Sequence, residues 1–306
     1  QGIGGGWVVG FCSVAIGLMF PDRTLPKVYA AITSVWGVAS LLGPLIGGVF
    51  ADAGAWRWVF WSFAGQGLAV GAAALALLPA ADTGHEDTPI AWTQLGLVAA
   101  AVSMIGVADV AGRPWLALVL TLAGTVTLAW TVAYDGRARA RLLPLGASDV
   151  TSRAGAGYAS MFLLTAASMG YSVYGPAILQ TLAGLKALTA GYVVALEAVA
   201  WTVAGLTVAH LSGVWPRRMI RLGTALATLG VALSAAVFPA GSVLGAALAG
   251  AVMGSGFGLS WAFMSQSMLA GFRDGERALA AGAITTVRLT GSAAGASAAA
   301  VAANLA

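Results

Sequence analysis

The stretch "WGVASLLGPLIGGVFADAGAWRWVFW", residues 36–61, places a Gly-Pro pair and a Gly-Gly pair within an apolar run. Glycine and proline destabilise helices in water, although the residues around them favour a helix. In a bilayer, helices associate largely through close contact at small residues. Gly43 and Gly47 are four residues apart, with Gly48 beside them, and Pro44 removes one backbone hydrogen bond. The stretch therefore predicts a bent membrane helix whose glycine face packs closely against a partner, either as a specific motif or as a general packing seam.

The composition of the whole chain indicates an integral membrane protein. Only 8% of its 306 residues are charged, against about 25% in soluble domains. Hydrophobic residues make up 59%, and the mean hydropathy is +0.88. The single cysteine, Cys12, excludes an internal disulfide and a cysteine metal cluster. Gln1 stands within an apolar run without a methionine or a signal peptide, which predicts an incomplete piece of a longer protein.

Apolar runs of spanning length recur along the chain. A membrane helix needs about 20 mostly apolar residues, and charged or proline-containing stretches separate ten such runs. They cover approximately residues 2–20, 28–50, 58–78, 91–109, 115–133, 156–181, 189–211, 219–238, 243–268 and 279–303. These runs are too long for barrel strands, so the predicted fold is all-α with about ten transmembrane helices. The connections are too short to hold a separate catalytic domain.

The distribution of lysine and arginine predicts the orientation. One alternating set of connections holds 11 basic residues and the other holds three. Because cytoplasmic loops carry the excess of basic residues, the first set is assigned to the cytoplasm. It includes the loops 21–27, 134–153, 212–221 and 271–277. The expected location is a cell membrane, inner or plasma, crossed many times.

The order of these motifs resembles the major facilitator superfamily, specifically its fourteen-helix drug:proton antiporter family. The matching positions are Gly43, Pro44, Gly47 and Gly48 at the antiporter motif of the fifth helix, Trp56, Arg57, Trp58 and Phe60 opening the sixth, Gln1 and Gly2 in the fourth, and Arg277, Gly282, Arg288, Gly291 and Gly295 in the penultimate helix. The chain departs from the family pattern at Ala39, Phe63, Gly65 and Gly213. The resemblance implies that three helices are missing before this chain and one after it.

The same resemblance implies a division into three parts. Residues 1–78 are expected to form the last three helices of a first bundle. Residues 79–153 are expected to form two linker helices and a basic cytoplasmic loop, and residues 154–306 five helices of a second bundle. Such carriers rock two bundles about a central site.

Two ionisable residues lie at predicted membrane depth and are the proton-coupling candidates. Glu197 stands well inside the run 189–211, where an acid is favoured in its protonated form. It is a candidate proton carrier, although a hydrogen bond to an adjacent helix or a partnership with Arg288 would also account for it. Arg288 stands about ten residues into the last run, where it would face a watery cavity, pair with an acid or reach the cytoplasmic surface.

Polar and aromatic side chains within apolar runs supply candidate substrate contacts. They are Tyr174, Gln180, Trp201 and Gln266. Tyr174 precedes Gly175-Pro176, where an irregular helix is expected to line a cavity. Each of these residues is also of a type that serves in interfacial belts or in bridges between helices.

These features favour a secondary transporter that exports lipophilic small molecules against proton entry by alternating access. The alternative is a carrier of the same architecture that moves a metabolite, and a membrane enzyme or interaction scaffold is the third class considered. The two histidines, His85 and His210, do not form the cluster that a membrane metalloenzyme needs. A nucleotide-binding loop is absent from the sequence, so we predict no ATP, cofactor, metal or nucleic acid, and no enzymatic activity. The predicted partners are the lipophilic substrate, protons and the lipid bilayer.

Overall fold

A computed structural model describes residues 4–6, 8–9, 12, 25–77, 89–108, 112–270, 272 and 274–305. Most of the predicted span 2–20, together with Gln1 and Gly2, lies outside these residues. From Leu25 onward the described chain forms ten α-helices and one π-helical segment. They are α1 (Leu25–Asp52), α2 (Arg57–Leu77), α3 (Trp92–Ala108), α4 (Pro114–Asp135), α5 (Arg153–Met169), the π segment (Gly170–Tyr174), α6 (Gly175–Ala183), α7 (Ala187–Val208), α8 (Trp215–Val237), α9 (Val243–Leu269) and α10 (Asp274–Leu305).

The all-α membrane fold predicted from the sequence is confirmed. Six helical segments of the described chain are long and apolar enough to cross a bilayer: Arg57–Leu77, Trp115–Asp135, Arg153–Ala183, Ala187–Val208, Trp215–Val237 and Val243–Leu269. Two shorter apolar helices cover Gly37–Asp52 and Trp92–Ala108. Each of these segments coincides with a predicted span to within a few residues, except Gly37–Asp52, which covers the later part of the predicted span 28–50.

Two predicted spans differ from the observed helices in informative ways. The run predicted at 219–238 begins at Trp215, because Pro216 is accommodated in the first turn of α8, where an amide donor is not needed. Arg218 therefore lies within a helix, over the ring of Trp215 at 5.2 Å, rather than in a loop. The run predicted at 279–303 is helical within the 32-residue α10, yet it is not among the six apolar segments, because glycine, serine and threonine lower its hydropathy.

The helix directions follow the predicted alternation. On α8, Gly223 lies against Ser260 of α9, whereas Gly230 lies against Met253, so α8 and α9 run antiparallel. Gly254 of α9 lies against Glu197 of α7, and Gly258 lies against Trp201, so α7 and α9 run parallel. Successive passes of the chain therefore place the connections 136–152 and 209–214, the end of α9 and the start of α10 at one end of the molecule. These are the basic connections, and their assignment to the cytoplasm stays a prediction of the charge count.

Helix α9 is the central element of the second half, and it approaches its neighbours through glycines. Gly254 lies against the backbone of Glu197 on α7, and Gly258 lies against the backbone of Trp201 one turn further on. Gly256 faces the other way and lies against the backbone of α8. A side chain at any of these three positions would overlap the facing helix, so the missing side chains set the distances between helices.

The glycine-rich helix α1 packs against α7. A Cβ built on Gly48 would lie 2.9 Å from the Cβ of Leu188, and one built on Gly191 would lie 2.9 Å from the Cβ of Pro44. Gly48 is buried and Pro44 is half-buried. The predicted close contact at this motif therefore exists, and its partner is α7.

Of the motif residues expected to form that contact, Pro44 and Gly48 lie in it in the described chain. Gly43 and Gly47 were predicted to lie in the packed stripe with Gly48, but a Cβ on either meets no atom of the described chain within 4 Å. One residue turns a helix by about 100°, so Pro44 and Gly48 share a face that lies beside the face of Gly43 and Gly47. In the described chain, the Pro44 and Gly48 face makes the contact with α7.

The two helices predicted as linkers, α3 and α4, pack against each other and against α10. A Cβ on Gly124 would overlap Ile105 and the Ala101 carbonyl, so this pair is also in close backbone contact. Asp135, at the end of α4, is only 2% exposed. Its carboxylate accepts hydrogen bonds from Leu142 N (2.7 Å), Leu143 N (2.9 Å) and Gln94 Nε2 (3.1 Å), which holds the basic connection against the ends of α3 and α4.

Helix α2 has no buried residue, in contrast to α9. Its aromatic start places the guanidinium of Arg57 5.2 Å from the ring centre of Trp56, and Trp58 is 63% exposed. This arrangement fits the interfacial anchor expected of an arginine between two tryptophans.

Candidate functional site

Glu197 occupies the centre of the second half of the chain. It is the eleventh of the 22 residues of α7, so it lies near mid-membrane depth. The α7 face that contacts α1 carries Leu188 and Gly191, whereas Glu197 points about 150° away from it, to the side that carries the buried Ala190. The carboxyl is therefore directed into the second half of the chain rather than toward α1.

The partner of Glu197 is a serine on the irregular part of a neighbouring helix. Ser172 Oγ donates a hydrogen bond of 2.9 Å to Glu197 Oε2. Ser172 lies in the π segment, directly before Gly175 and Pro176. Proline lacks an amide hydrogen and crowds the preceding turn, which interrupts α-helical hydrogen bonding there. The irregularity predicted at this point is thus present, and it presents the hydroxyl to the acid.

The residues around this pair are closely packed. Tyr171 is buried, its hydroxyl donates to the Ala246 carbonyl at 3.0 Å, and a Cβ on Gly250 would overlap that hydroxyl. Ser168 and Thr165 precede Ser172 at helical spacing, so the three hydroxyls form a row along one face that runs from α5 into the π segment. Thr165 Oγ1 is buried and has no hydrogen-bond partner in the described chain. An acid at mid-depth therefore meets a hydroxyl-lined helix face in an otherwise apolar interior.

The two proton-coupling candidates are not brought together. Arg288 is half-buried on α10 and makes its own interactions there. A Cβ on Gly170, at the start of the π segment, would lie 3.8 Å from Ala299. Ala299 lies eleven residues beyond Arg288, or about 16 Å along the helix at 1.5 Å per residue. Helix register therefore sets Arg288 and Glu197 at different depths, which speaks against the alternative in which Glu197 serves as the partner of Arg288.

The four substrate-contact candidates lie in different environments. Trp201 stacks on Phe257, with ring centres 4.8 Å apart, and contacts Trp261 at 5.5 Å, so it belongs to an aromatic cluster of the core. Tyr174 is half-buried at the end of the π segment. Gln266 is exposed near the end of α9. A role in substrate contact remains a prediction for each of them.

Gln180 lies at the opposite end of the molecule from the basic connections. Its side chain is exposed and donates to the Pro176 carbonyl at 3.1 Å. It lines an open cavity of about 560 Å³ between the end of α1 and the α6–α7 connection. Asp52 and Lys186 line the same cavity, so its walls are polar and charged.

Ser172 and Asp135 are two polar residues in well-defined contacts that sequence reasoning missed. A serine in an apolar helix is common, and only the crossing of α7 with the π segment shows what it faces. Asp135 directly precedes a connection with three arginines, Arg137, Arg139 and Arg141, whose charge determined the orientation predicted from the sequence. The position of Asp135 at a predicted helix end could have indicated its role, because backbone amides of the following loop need an acceptor there.

The spanning helices and their glycine contacts define a multi-pass membrane protein. Among the described residues, no group of three or more His, Cys, Asp or Glu side chains is placed to hold a metal ion. The model of the Major Facilitator Superfamily matches residues 1–296, and the chain belongs to this family. It is thus a membrane transporter, as the sequence resemblance implied.

Curated relatives carry names that agree with this assignment. The chain is 32% identical to the "Probable multidrug-efflux transporter Rv1634" of Mycobacterium tuberculosis, with all of this chain and 67% of the relative aligned. It is 27% identical to the "Multidrug transporter protein MdtP" of Bacillus subtilis over 47% of this chain and 28% of the relative. An "MFS-type transporter" of Aspergillus terreus is 44% identical over 20% of this chain and 11% of the relative. No solved structure matches the chain.

Proposed function

We propose that the chain belongs to a proton-coupled exporter of lipophilic small molecules, with Glu197 as the proton carrier. The observation that carries the proposal is the carboxyl of Glu197 at the centre of α7, bonded to Ser172 Oγ at 2.9 Å. An ionised acid at the centre of a membrane helix costs about 2.5–3.5 kcal/mol on insertion scales. Binding a proton removes that charge, so protonation changes the free energy of the state in which the acid is buried. One relative is named a probable multidrug-efflux transporter and another a multidrug transporter protein, and these names support the substrate class.

The contact between α1 and α7 has a place in this proposal. By the family resemblance, α1 belongs to the first bundle (residues 1–78) and α7 to the second (residues 154–306). The Gly48–Leu188 contact then joins the two bundles toward the end opposite the basic connections. Closing this contact limits leakage when the outside is closed, and opening it exposes the polar cavity lined by Asp52, Gln180 and Lys186.

Efflux of a lipophilic cationic dye tests the proposal. The transporter is expressed in cells that lack their own efflux pumps, and dye loss is followed with and without a protonophore. We expect Glu197→Gln to lower proton-driven efflux at least tenfold at unchanged expression, because the amide cannot exchange a proton. If Glu197→Gln exports the dye at the normal rate, the acid has no part in coupling.

Asp149→Asn is the matched control. Asp149 lies in the exposed connection between α4 and α5, and the side-chain hydrogen bond from Thr151 holds its pKa below its ordinary value. Asp149 is therefore ionised throughout the physiological pH range, and its replacement removes one negative charge far from the membrane interior. Efflux by Asp149→Asn is expected to equal that of the unchanged protein. Transport of a hydrophilic metabolite with no dye export would favour the metabolite carrier instead.

A further inference from the structure

Ser172 has two acceptors within reach and one hydrogen to donate. Its Oγ lies 2.9 Å from Glu197 Oε2 and 3.2 Å from the carbonyl oxygen of Ser168, one turn earlier on α5. A serine hydroxyl carries a single donor hydrogen and two acceptor lone pairs. It therefore satisfies one of the two oxygens at a time, and the choice depends on which is the stronger acceptor.

The protonation of Glu197 decides that choice. An ionised carboxylate is the stronger acceptor, since hydrogen bonds to charged groups are roughly twice as strong as neutral ones. When a proton binds Oε2, the carboxyl becomes a donor to Ser172 Oγ. The hydroxyl hydrogen of Ser172 is then free to turn to the Ser168 carbonyl, which is the usual acceptor for a helical serine.

The hydrogen bonds that the structure gives the Ser172 hydroxyl go to Glu197 Oε2 and the Ser168 carbonyl oxygen. Tyr174, at the end of the π segment, is half-buried and makes interactions of its own. On α5, Tyr158 donates to the Ala280 carbonyl, and Arg153 begins the helix.

Tyr171 in the π segment is committed to the Ala246 carbonyl, and the sequences of α6 and α9 contain no ionisable residue. On α7 itself the remaining ionisable side chain is the exposed Tyr192. On α1, Asp52 lies at the end near Lys186, and Lys27 and Tyr29 lie near the opposite end. Arg288 lies about 16 Å along α10 from Ala299, which contacts Gly170 at the start of the π segment.

We propose that Ser172 is a positioning residue for the proton site, whose hydroxyl bonds Glu197 when the carboxyl is ionised and the Ser168 carbonyl when the carboxyl carries the proton. The inference rests on the proposed proton-carrying role of Glu197. It adds a link from the proton to the π segment, because the Ser172–Ser168 hydrogen bond lies at the entry to that segment. Each proton bound or released thereby makes or breaks a hydrogen bond within the irregular part of the helix.

Infrared difference spectroscopy between high and low pH, on the protein in lipid vesicles, tests this inference without requiring transport. The carbonyl stretch of protonated Glu197 is identified as the band that Glu197→Gln removes. In Ser172→Ala we expect the midpoint of that band's titration to rise by about one pH unit, since the ionised form loses a stronger hydrogen bond than the neutral form does. The stretch is also expected to move to higher frequency, because the protonated carboxyl loses its acceptor.

Two further variants separate the inference from a general loss of structure. Ser172→Thr keeps a hydroxyl and is expected to restore the midpoint and frequency of the unchanged protein. Ser265→Ala removes a half-buried serine bonded to the Trp261 carbonyl at 3.0 Å and should alter neither.

The outcomes of the two experiments are distinguishable. The inference is overturned if Ser172→Ala leaves the titration midpoint and the frequency of the Glu197 band unaltered. It is also overturned if the spectrum of Glu197→Gln keeps every carbonyl band of the unchanged protein. Normal dye efflux by Glu197→Gln overturns the proposed function, while the infrared shift in Ser172→Ala would still establish the hydrogen bond.

Discussion

Two adjacent glycines of the motif in α1 are predicted to respond oppositely to the same substitution. A methyl group on Gly48 would lie 2.9 Å from Leu188 Cβ and 3.0 Å from its Cα and Cδ1. Carbon atoms prefer separations of about 3.5–4.0 Å, so α1 and α7 must move apart by roughly half an ångström or more. Overpacking of this kind costs about 1–3 kcal/mol. Replacing a helical glycine by alanine stabilises the helix by about 0.5–1 kcal/mol. The difference leaves Gly48→Ala destabilised by up to about 2.5 kcal/mol.

Gly47→Ala is the matched variant, because a Cβ there meets no described atom within 4 Å. It keeps the gain in helix propensity, so its stability is expected to rise by about 0.5–1 kcal/mol. Thermal unfolding of both proteins in detergent, followed by circular dichroism, measures the difference. Equal destabilisation by the two variants, or a stable Gly48→Ala, would refute the assignment of the packed face to Pro44 and Gly48.

Three further predictions concern other parts of the structure. Gly254→Ala is expected to lower the unfolding temperature in detergent, because its methyl group would overlap the Glu197 carbonyl oxygen and backbone atoms move less easily than a side chain. Gly282→Ala is the control and should not lower it, because a Cβ there meets no described atom within 4 Å. Asp135→Ala is expected to lower the free energy of unfolding by about 3 kcal/mol, since the donors at its carboxylate lose their charged acceptor. Protease cleavage of the 136–152 connection in detergent should then accelerate, and unchanged cleavage would contradict the role of Asp135. Asp149→Cys, in a chain with Cys12→Ser, should react with an impermeant thiol reagent only in inside-out vesicles, and labelling from the outside would overturn the charge-based orientation.

Features determined by local sequence were predictable. Runs of apolar residues located the helices, because a bilayer requires both length and apolarity, and Pro176 located the irregular turn, because a missing amide disrupts hydrogen bonding wherever it occurs. Glu197 was identified for a similar reason, since an acid in a long apolar run needs an explanation without any knowledge of its neighbours.

Features determined by the meeting of distant segments were not predictable from one sequence. Gly47 and Gly48 differ only in which way they face, and that depends on where α7 lies. Ser172 became part of the site because the π segment crosses α7 at the level of Glu197. The substrate-contact candidates were chosen by residue type, and residue type alone does not distinguish the packed Trp201 from the exposed Gln266.

The anchoring of α3 and α4 has a mechanical consequence. These helices rest on α10, and the carboxylate of Asp135 fastens the loop that follows them. In the proposed opening of the α1–α7 contact at Gly48, we expect α3 and α4 to stay packed on α10 and to move together with it.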